Sequence, residues 1–161
     1  GDNMLKVASI FEPILTGDDR PKLLHDYPVV HVQPIAWGDM DGFNHVNNVA
    51  YYRYAESARI AYMRAIGFMA AREDLLTILA SSSIQYRRPV TYPDTLLIGV
   101  RIKHLGSTSV VQEYAMYSQA QQALVASGEA VIVRTDMNMV KMPWSDEERA
   151  LIERFENRRF D

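Results

Sequence analysis

Trp37-Gly38-Asp39-Met40-Asp41-Gly42-Phe43-Asn44-His45-Val46-Asn47-Asn48 gathers two carboxylates, an imidazole and three amides into one short run, and the pattern changes directly after it. Tyr51, Ala55, Ala58, Tyr62, Ala65 or Ile66, and Met69 recur at three- and four-residue steps, while Arg53, Glu56 and Arg64 fall off that stripe. This periodicity predicts one long amphipathic helix from Asn47 to Phe68. Asn47 suits the N-cap, because its side-chain oxygen can accept a free first-turn N–H, and Gly67 suits a left-handed terminator. The small residues Ala55 and Ala58 let such a helix lie close against a sheet.

Outward from that helix the chain reads as β-structure. Val29 to Ile35 has the β-branched content of a strand, with Pro34 marking an edge or a strand end. Residues 12–28, with two further prolines and a Gly17-Asp18-Asp19 turn, read as an arm or loop. Beyond a short helical or irregular stretch at Ala70 to Leu76, Ile84 and Tyr86 alternate with Ser83, Gln85 and Arg87, and a turn follows at Tyr92-Pro93-Asp94. Leu96 to Leu105 then turns at Gly106-Ser107-Thr108 into Val110 to Tyr117, and Gln119 to Gln122 leads into Leu124 to Arg134. The expectation is a four-stranded meander after the helix. Ser145 and Glu148 fit a capping box opening a C-terminal surface helix, Asp146 to Phe155. Together these elements predict an α+β domain over residues 1–161, an antiparallel sheet curled around one long central helix, with an N-terminal arm (1–28) and a C-terminal helix (143–161).

Composition agrees with one globular core: 161 residues, 48% hydrophobic and 10% aromatic,. With 17 Lys+Arg against 20 Asp+Glu, net charge −3, and no basic stripe, nucleic acid is not an expected partner. The absence of cysteine excludes disulfides, thiolate metal sites and cysteine nucleophiles, and a reducing cytoplasm is the default location. Gly1-Asp2-Asn3-Met4 looks like a cloning remnant. No export signal and no apolar run of about 18 residues is visible, so no membrane partner is expected.

The polar run sits where a helix N-terminus leaves unpaired N–H groups and a dipole that favours negative charge, so it can bind an oxyanion. On the residues alone, turn-making and capping by Asp39, Asp41 and the asparagines is an equally open reading. A metal is not expected: Asp39-x-Asp41 with His45 lacks a nearby second histidine and the later glutamate of a calcium loop. There is no nucleophile elbow for a serine triad and no glycine-rich phosphate loop.

The run Trp37 to Arg59, with its Gly-Asp-x-Asp, His-Val-Asn-Asn and Tyr-x-x-Tyr-x-Glu-x-x-Arg motifs, resembles the 4-hydroxybenzoyl-CoA thioesterase-like branch of the hot-dog superfamily. The likeness spans Val29 to Asp136 and includes Tyr86-Arg87-Arg88-Pro89 and Tyr92-Pro93-Asp94-Thr95-Leu96. It implies a hot-dog acyl-CoA thioesterase acting on an acyl-CoA or acyl-carrier-protein thioester. Asp41 would be the nucleophile or general base, the backbone N–H of Asn48 the oxyanion donor, and Asp39 structural, with His45 and Asn47 lining the substrate loop. No metal or cofactor is implied, coenzyme A entering only as part of the substrate, and the working unit would be a homodimer or dimer of dimers with sites between subunits.

One departure bears on the carrier. Where some members of the branch place basic residues for the coenzyme A phosphates, this hairpin is Gly106-Ser107-Thr108, with only Lys103 and His104 nearby. Two other functions stay in view: a hydratase or dehydratase, for which His45 and Asp41 would be the acid/base pair, and a non-catalytic acyl-thioester-binding module. Glu56 reads as an ion-pair partner of Arg53, His31 and His104 as strand-surface residues, and Met137, Met139 and Met142 as core.

Overall fold

The computed structural model describes residues 13–15, 17–68 and 74–160; the expectations for Gly1 to Met4, for Met69 and for residues 70–73 lie outside them. The described strands are β1 (Ile14–Leu15), β2 (Val29–Pro34), β3 (Leu75–Tyr86), β4 (Thr95–Leu105), β5 (Ser109–Ser118) and β6 (Ala123–Asp136); the α-helices are α1 (Asn48–Ala65) and α2 (Asp146–Glu156). All strands join one antiparallel sheet in the order β1-β2-β4-β5-β6-β3, curled around α1 in the hot-dog manner.

That order corrects the four-stranded meander. β4, β5 and β6 do run as hairpins, but β3 pairs with β6 at the far edge, register Leu75↔Asp136 to Tyr86↔Ala126, and never with β4. Alternation along a strand specifies which face is buried and not which neighbour is paired. The chain thus passes from β2 through α1 to the opposite edge of the sheet, with α1 packed on β2 and β4. β1 is also new: two residues of the arm pair with Val30 and His31 of β2.

α1 is shorter than the periodicity suggested, ending at Ala65 with Gly67 left-handed at φ 80°,. It buries Tyr51, Tyr54, Ala55, Ala58, Tyr62 and Met63 against Val29, Leu96, Ile98, Val100, Ile102 and Tyr114. Ala55 and Ala58 are fully buried, as their small size at the helix–sheet contact requires. The opposite face of β2 and β4 is also covered, since Leu15 and Leu24 of the arm pack on Val30, Val32 and Leu97. Each fully buried large aliphatic contributes about 1.5–3 kcal/mol.

This double covering corrects the reading of His31. On β2, Val30 and Val32 face the arm while Val29 and His31 face α1, so no polar alternation marks a solvent side. His31 is buried, its Nε2 lies 3.2 Å from Gln33 Oε1, and burial pushes its pKa down. It lines a 350 Å³ cavity with Pro13, Ser57, Ile60 and Ala61. Met137 and Met139 are exposed rather than core, because they fall in the turn after β6, with Met139 at φ 67°. Glu56 forms no ion pair with Arg53; its charge acts on Arg59, one helical turn on.

The Ser145–Glu148 capping box opens α2 as the sequence indicates. The helix is not wholly superficial: Ile152 is buried, Phe155 meets the Tyr62 ring edge-on at 5.8 Å, and Tyr62 donates to Glu156 Oε2 at 2.6 Å. Burial raises the Glu156 carboxyl above its usual range. No described helix is long and apolar enough to cross a membrane.

Gly128, on β6, is where β3 and β5 crowd the chain: an added Cβ would lie 2.0 Å from the Ser83 carbonyl oxygen and 2.8 Å from the Tyr114 ring. Gly128→Ala should therefore destabilise the protein by about 1–3 kcal/mol, the range for overpacking. Urea unfolding midpoints measure it, and an unchanged midpoint would contradict the crowding.

Candidate active site

The loop between β2 and α1 is held by its own polar groups. A short 3-10 turn at Trp37–Asp39 leads into an antiparallel bridge between Met40 and Val46. Within that bridge the Asp41 N–H donates to His45 O at 3.0 Å and the Asn44 N–H to Asp41 O at 3.0 Å. Asn44 takes the left-handed conformation at φ 61°, which asparagine tolerates better than most residues,. The Val46 N–H donates to Val90 O at 2.8 Å, which draws the β3–β4 connection against the loop.

The two carboxylates occupy different networks. Asp39 Oδ2 accepts from the Ala36 N–H at 3.0 Å and from the Tyr54 hydroxyl at 2.6 Å, and Asp39 O accepts from the Asn47 N–H at 2.9 Å. Asp39 thus fastens the end of β2, the loop and α1 together. Burial and the adjacent Asp39 carboxylate together push the Tyr54 phenol far above its usual range. Asp41 is half-buried; its Oδ1 accepts from the Phe43 N–H at 2.9 Å and its Oδ2 from Asn47 Nδ2 at 3.2 Å. An ionised carboxylate has capacity for further acceptance beyond these two bonds.

Asn47 caps α1, its Oδ1 accepting from the Val49 N–H at 2.9 Å, while its amide nitrogen holds Asp41. Asn48 is the first residue of the helix, so its N–H has no intrahelical acceptor, and no other bond from it occurs among the described residues,. Asp41 and the first turn of α1 are therefore joined through one side chain, that of Asn47. His45 and Asn48 are exposed and line a 250 Å³ cavity with Val46, Tyr51, Tyr86, Arg87, Arg88 and Pro89.

The last five extend the site beyond the residues singled out in the sequence. Tyr86 donates to Asn48 O at 3.2 Å and meets the Tyr51 ring edge-on at 5.0 Å; burial, then Tyr86, pushes the Tyr51 phenol up to about 12. Arg87 donates to Ser127 at 3.2 Å, and Arg88 is exposed beside it. The Tyr86-Arg87-Arg88-Pro89 motif was visible in the sequence; its approach to the helix N-terminus was not, because it depends on β3 crossing to the far edge.

A capped helix start beside a held carboxylate, inside a sheet curled about that helix, defines a hot-dog domain of the thioester-hydrolase class. The sequence matches the model of the thioesterase-like superfamily over residues 35–152, and the chain belongs to that superfamily. It is 28% identical to the uncharacterized protein YsmA of Bacillus subtilis (strain 168) over 116 residues, 71% of this chain and 78% of that protein. A thioesterase from Thermus thermophilus, solved with coenzyme A and Zn, is 27% identical with a TM-score of 0.73, covering 83% of this chain and 98% of the other. A thioesterase-superfamily structure from Jannaschia sp. CCS1 shares the fold over 98% of this chain and 100% of its own, TM-score 0.84, at 18% identity.

Tyr54→Phe removes the hydroxyl donor to Asp39. Loss of that bond, to a charged acceptor, should cost about 1.5–3 kcal/mol in thermal or urea unfolding. A loss below about 0.5 kcal/mol would show that Asp39 is held without it.

Proposed function

We propose that this protein hydrolyses acyl-CoA thioesters, with Asp41 as the working carboxylate. The observation that carries the reading is the pairing of Asp41, steered by the Asn47 amide, with the acceptor-free N–H of Asn48 at the head of an 18-residue helix. A thioester carbonyl placed there would point its oxygen at the Asn48 N–H, where the helix dipole favours developing negative charge. Asp41 then either attacks the carbonyl carbon, giving a mixed anhydride that water cleaves to free Asp41 again, or takes a proton from a water that attacks the carbonyl directly. In either course the C–S bond breaks, the sulfur leaves as a thiol after receiving a proton, and hydroxyl from water ends on the acyl carbon as the free acid. General-base assistance contributes about 10²- to 10⁴-fold and an oxyanion donor a few kcal/mol.

Arg87 and Arg88 at the mouth of the cavity favour coenzyme A as the carrier. They offer cations to its phosphates from the β3–β4 connection, where the Gly106-Ser107-Thr108 hairpin offers none. A carrier-protein thioester is the second possibility, since its phosphopantetheine arm would use the same thioester position. His45 and Asn47 serve as substrate-loop residues in this scheme, Asn47 through Asp41.

The working unit is a homodimer or a dimer of dimers. β3 lies at one edge of the sheet, bonded among the described strands to β6 alone, and carries exposed Leu79; α1 also exposes Val49, Tyr52 and Ile60. An unpaired edge of this length invites a second copy.

Asp41→Asn should lower kcat for thiol release from acyl-CoA by about 10²-fold or more with the melting temperature little changed. Near-wild-type turnover by a folded variant removes Asp41 from the mechanism. Sedimentation over a dilution series should find dimers or tetramers, with activity lost as they dissociate; a stable, fully active monomer would contradict the assembly.

A further inference from the structure

Arg59 is 8% exposed, and its guanidinium makes no hydrogen bond or ion pair with any described residue. Its nitrogens are not among the described polar atoms sealed off from solvent without a partner, so they keep some contact with solvent. A buried cation without an acceptor is expensive, and such a group is ordinarily paired. Glu56, the nearest charge on its own helix, lines the cavity on the β2 side with His31 and Ser57 and forms no ion pair with Arg59.

The position of Arg59 relates it to the proposed hydrolytic site. At 3.6 residues per turn, Asn48 and Arg59 share a face of α1 to within about 20°, some ~16 Å apart along the axis, and an arginine side chain tilts back towards the helix N-terminus. Tyrosines flank that face: Tyr86 bonds Asn48 O, Tyr52 is 39% exposed and its hydroxyl has no hydrogen bond among the described residues, and Tyr114 donates to Ser83 O at 3.1 Å. Burial raises the Tyr114 phenol while the Arg59 charge pulls it down, and Tyr52 and Tyr114 both act on Tyr86. Tyr86 thus neighbours Asn48 at one end and, through Tyr52 and Tyr114, the Arg59 charge at the other.

We propose that Arg59 receives the far end of the acyl group, and that the substrates are thioesters whose acyl group ends in a carboxylate. The assignment rests on the hydrolytic reading of the same site. Guanidinium presents a planar fork of donors that a carboxylate matches with two bonds, and the Tyr52 hydroxyl adds a third donor. A methyl-ended acyl group would leave the cation unpaired.

The test compares adipoyl-CoA and suberoyl-CoA with hexanoyl-CoA and octanoyl-CoA. In the wild type the carboxylate-ended pair should be preferred in kcat/KM by at least about tenfold, and Arg59→Met should erase that preference, chiefly through KM, with Arg59→Lys keeping part of it. Calorimetric binding of the same four thioesters to Asp41→Asn, with Arg59 intact, reads the preference without turnover and does not depend on the Met variant folding. Absence of hydrolysis of every thioester by the wild type overturns the hydrolytic reading alone. Equal binding of the two classes by Asp41→Asn, or an unchanged preference in folded Arg59→Met, overturns the assignment of Arg59.

Discussion

The side chain of Asn47 performs two tasks that the rest of the site depends on. Its oxygen closes the first turn of α1 on Val49, and its nitrogen holds the Asp41 carboxylate. A planar amide offers both functions in one rigid group, so the helix start and the carboxylate cannot drift independently. Asp39 supplies the complementary restraint, joining Ala36, Tyr54 and the Asn47 N–H. The loop is consequently positioned from both the strand and the helix, as a reacting group needs to be.

The sheet provides what those local bonds cannot. Ala55 and Ala58 allow α1 to sit close on β4, and the crossing of β3 to the β6 edge carries Tyr86, Arg87 and Arg88 back to the helix N-terminus. Val46 bonding to Val90 fixes that approach. The cost of the arrangement is an open β3 edge and an apolar stripe on α1, which a second copy would cover. Arg59 lies beside the same stripe, so the assembly, acyl recognition and chemistry proposed above would fall on neighbouring faces of one helix.

How much was legible follows from the range of the interaction involved. The helix, its cap, the hairpin turns and the capping box of α2 came from near neighbours in sequence, and their bounds moved by only a few residues. His31 was misread because β2 is covered on both faces, and Met137 and Met139 because apolar composition carries no information about a turn. Tyr86, Arg87 and Arg88 form a motif in the sequence, yet nothing local to it indicates that they reach Asn48.

By itself, then, the sequence determined the elements and the chemistry of the loop: the periodicity of α1, two carboxylates before a capped helix, and turn residues between alternating strands. Those features depend on hydrogen bonds and side-chain spacing over a few residues. Only the tertiary structure decided that β3 pairs with β6, that the arm covers the back of β2, that the two aspartates enter separate networks, and that Arg59 is buried without an acceptor. Each of these depends on which distant surfaces meet. Periodicity marks that a face is buried and leaves its partner unspecified.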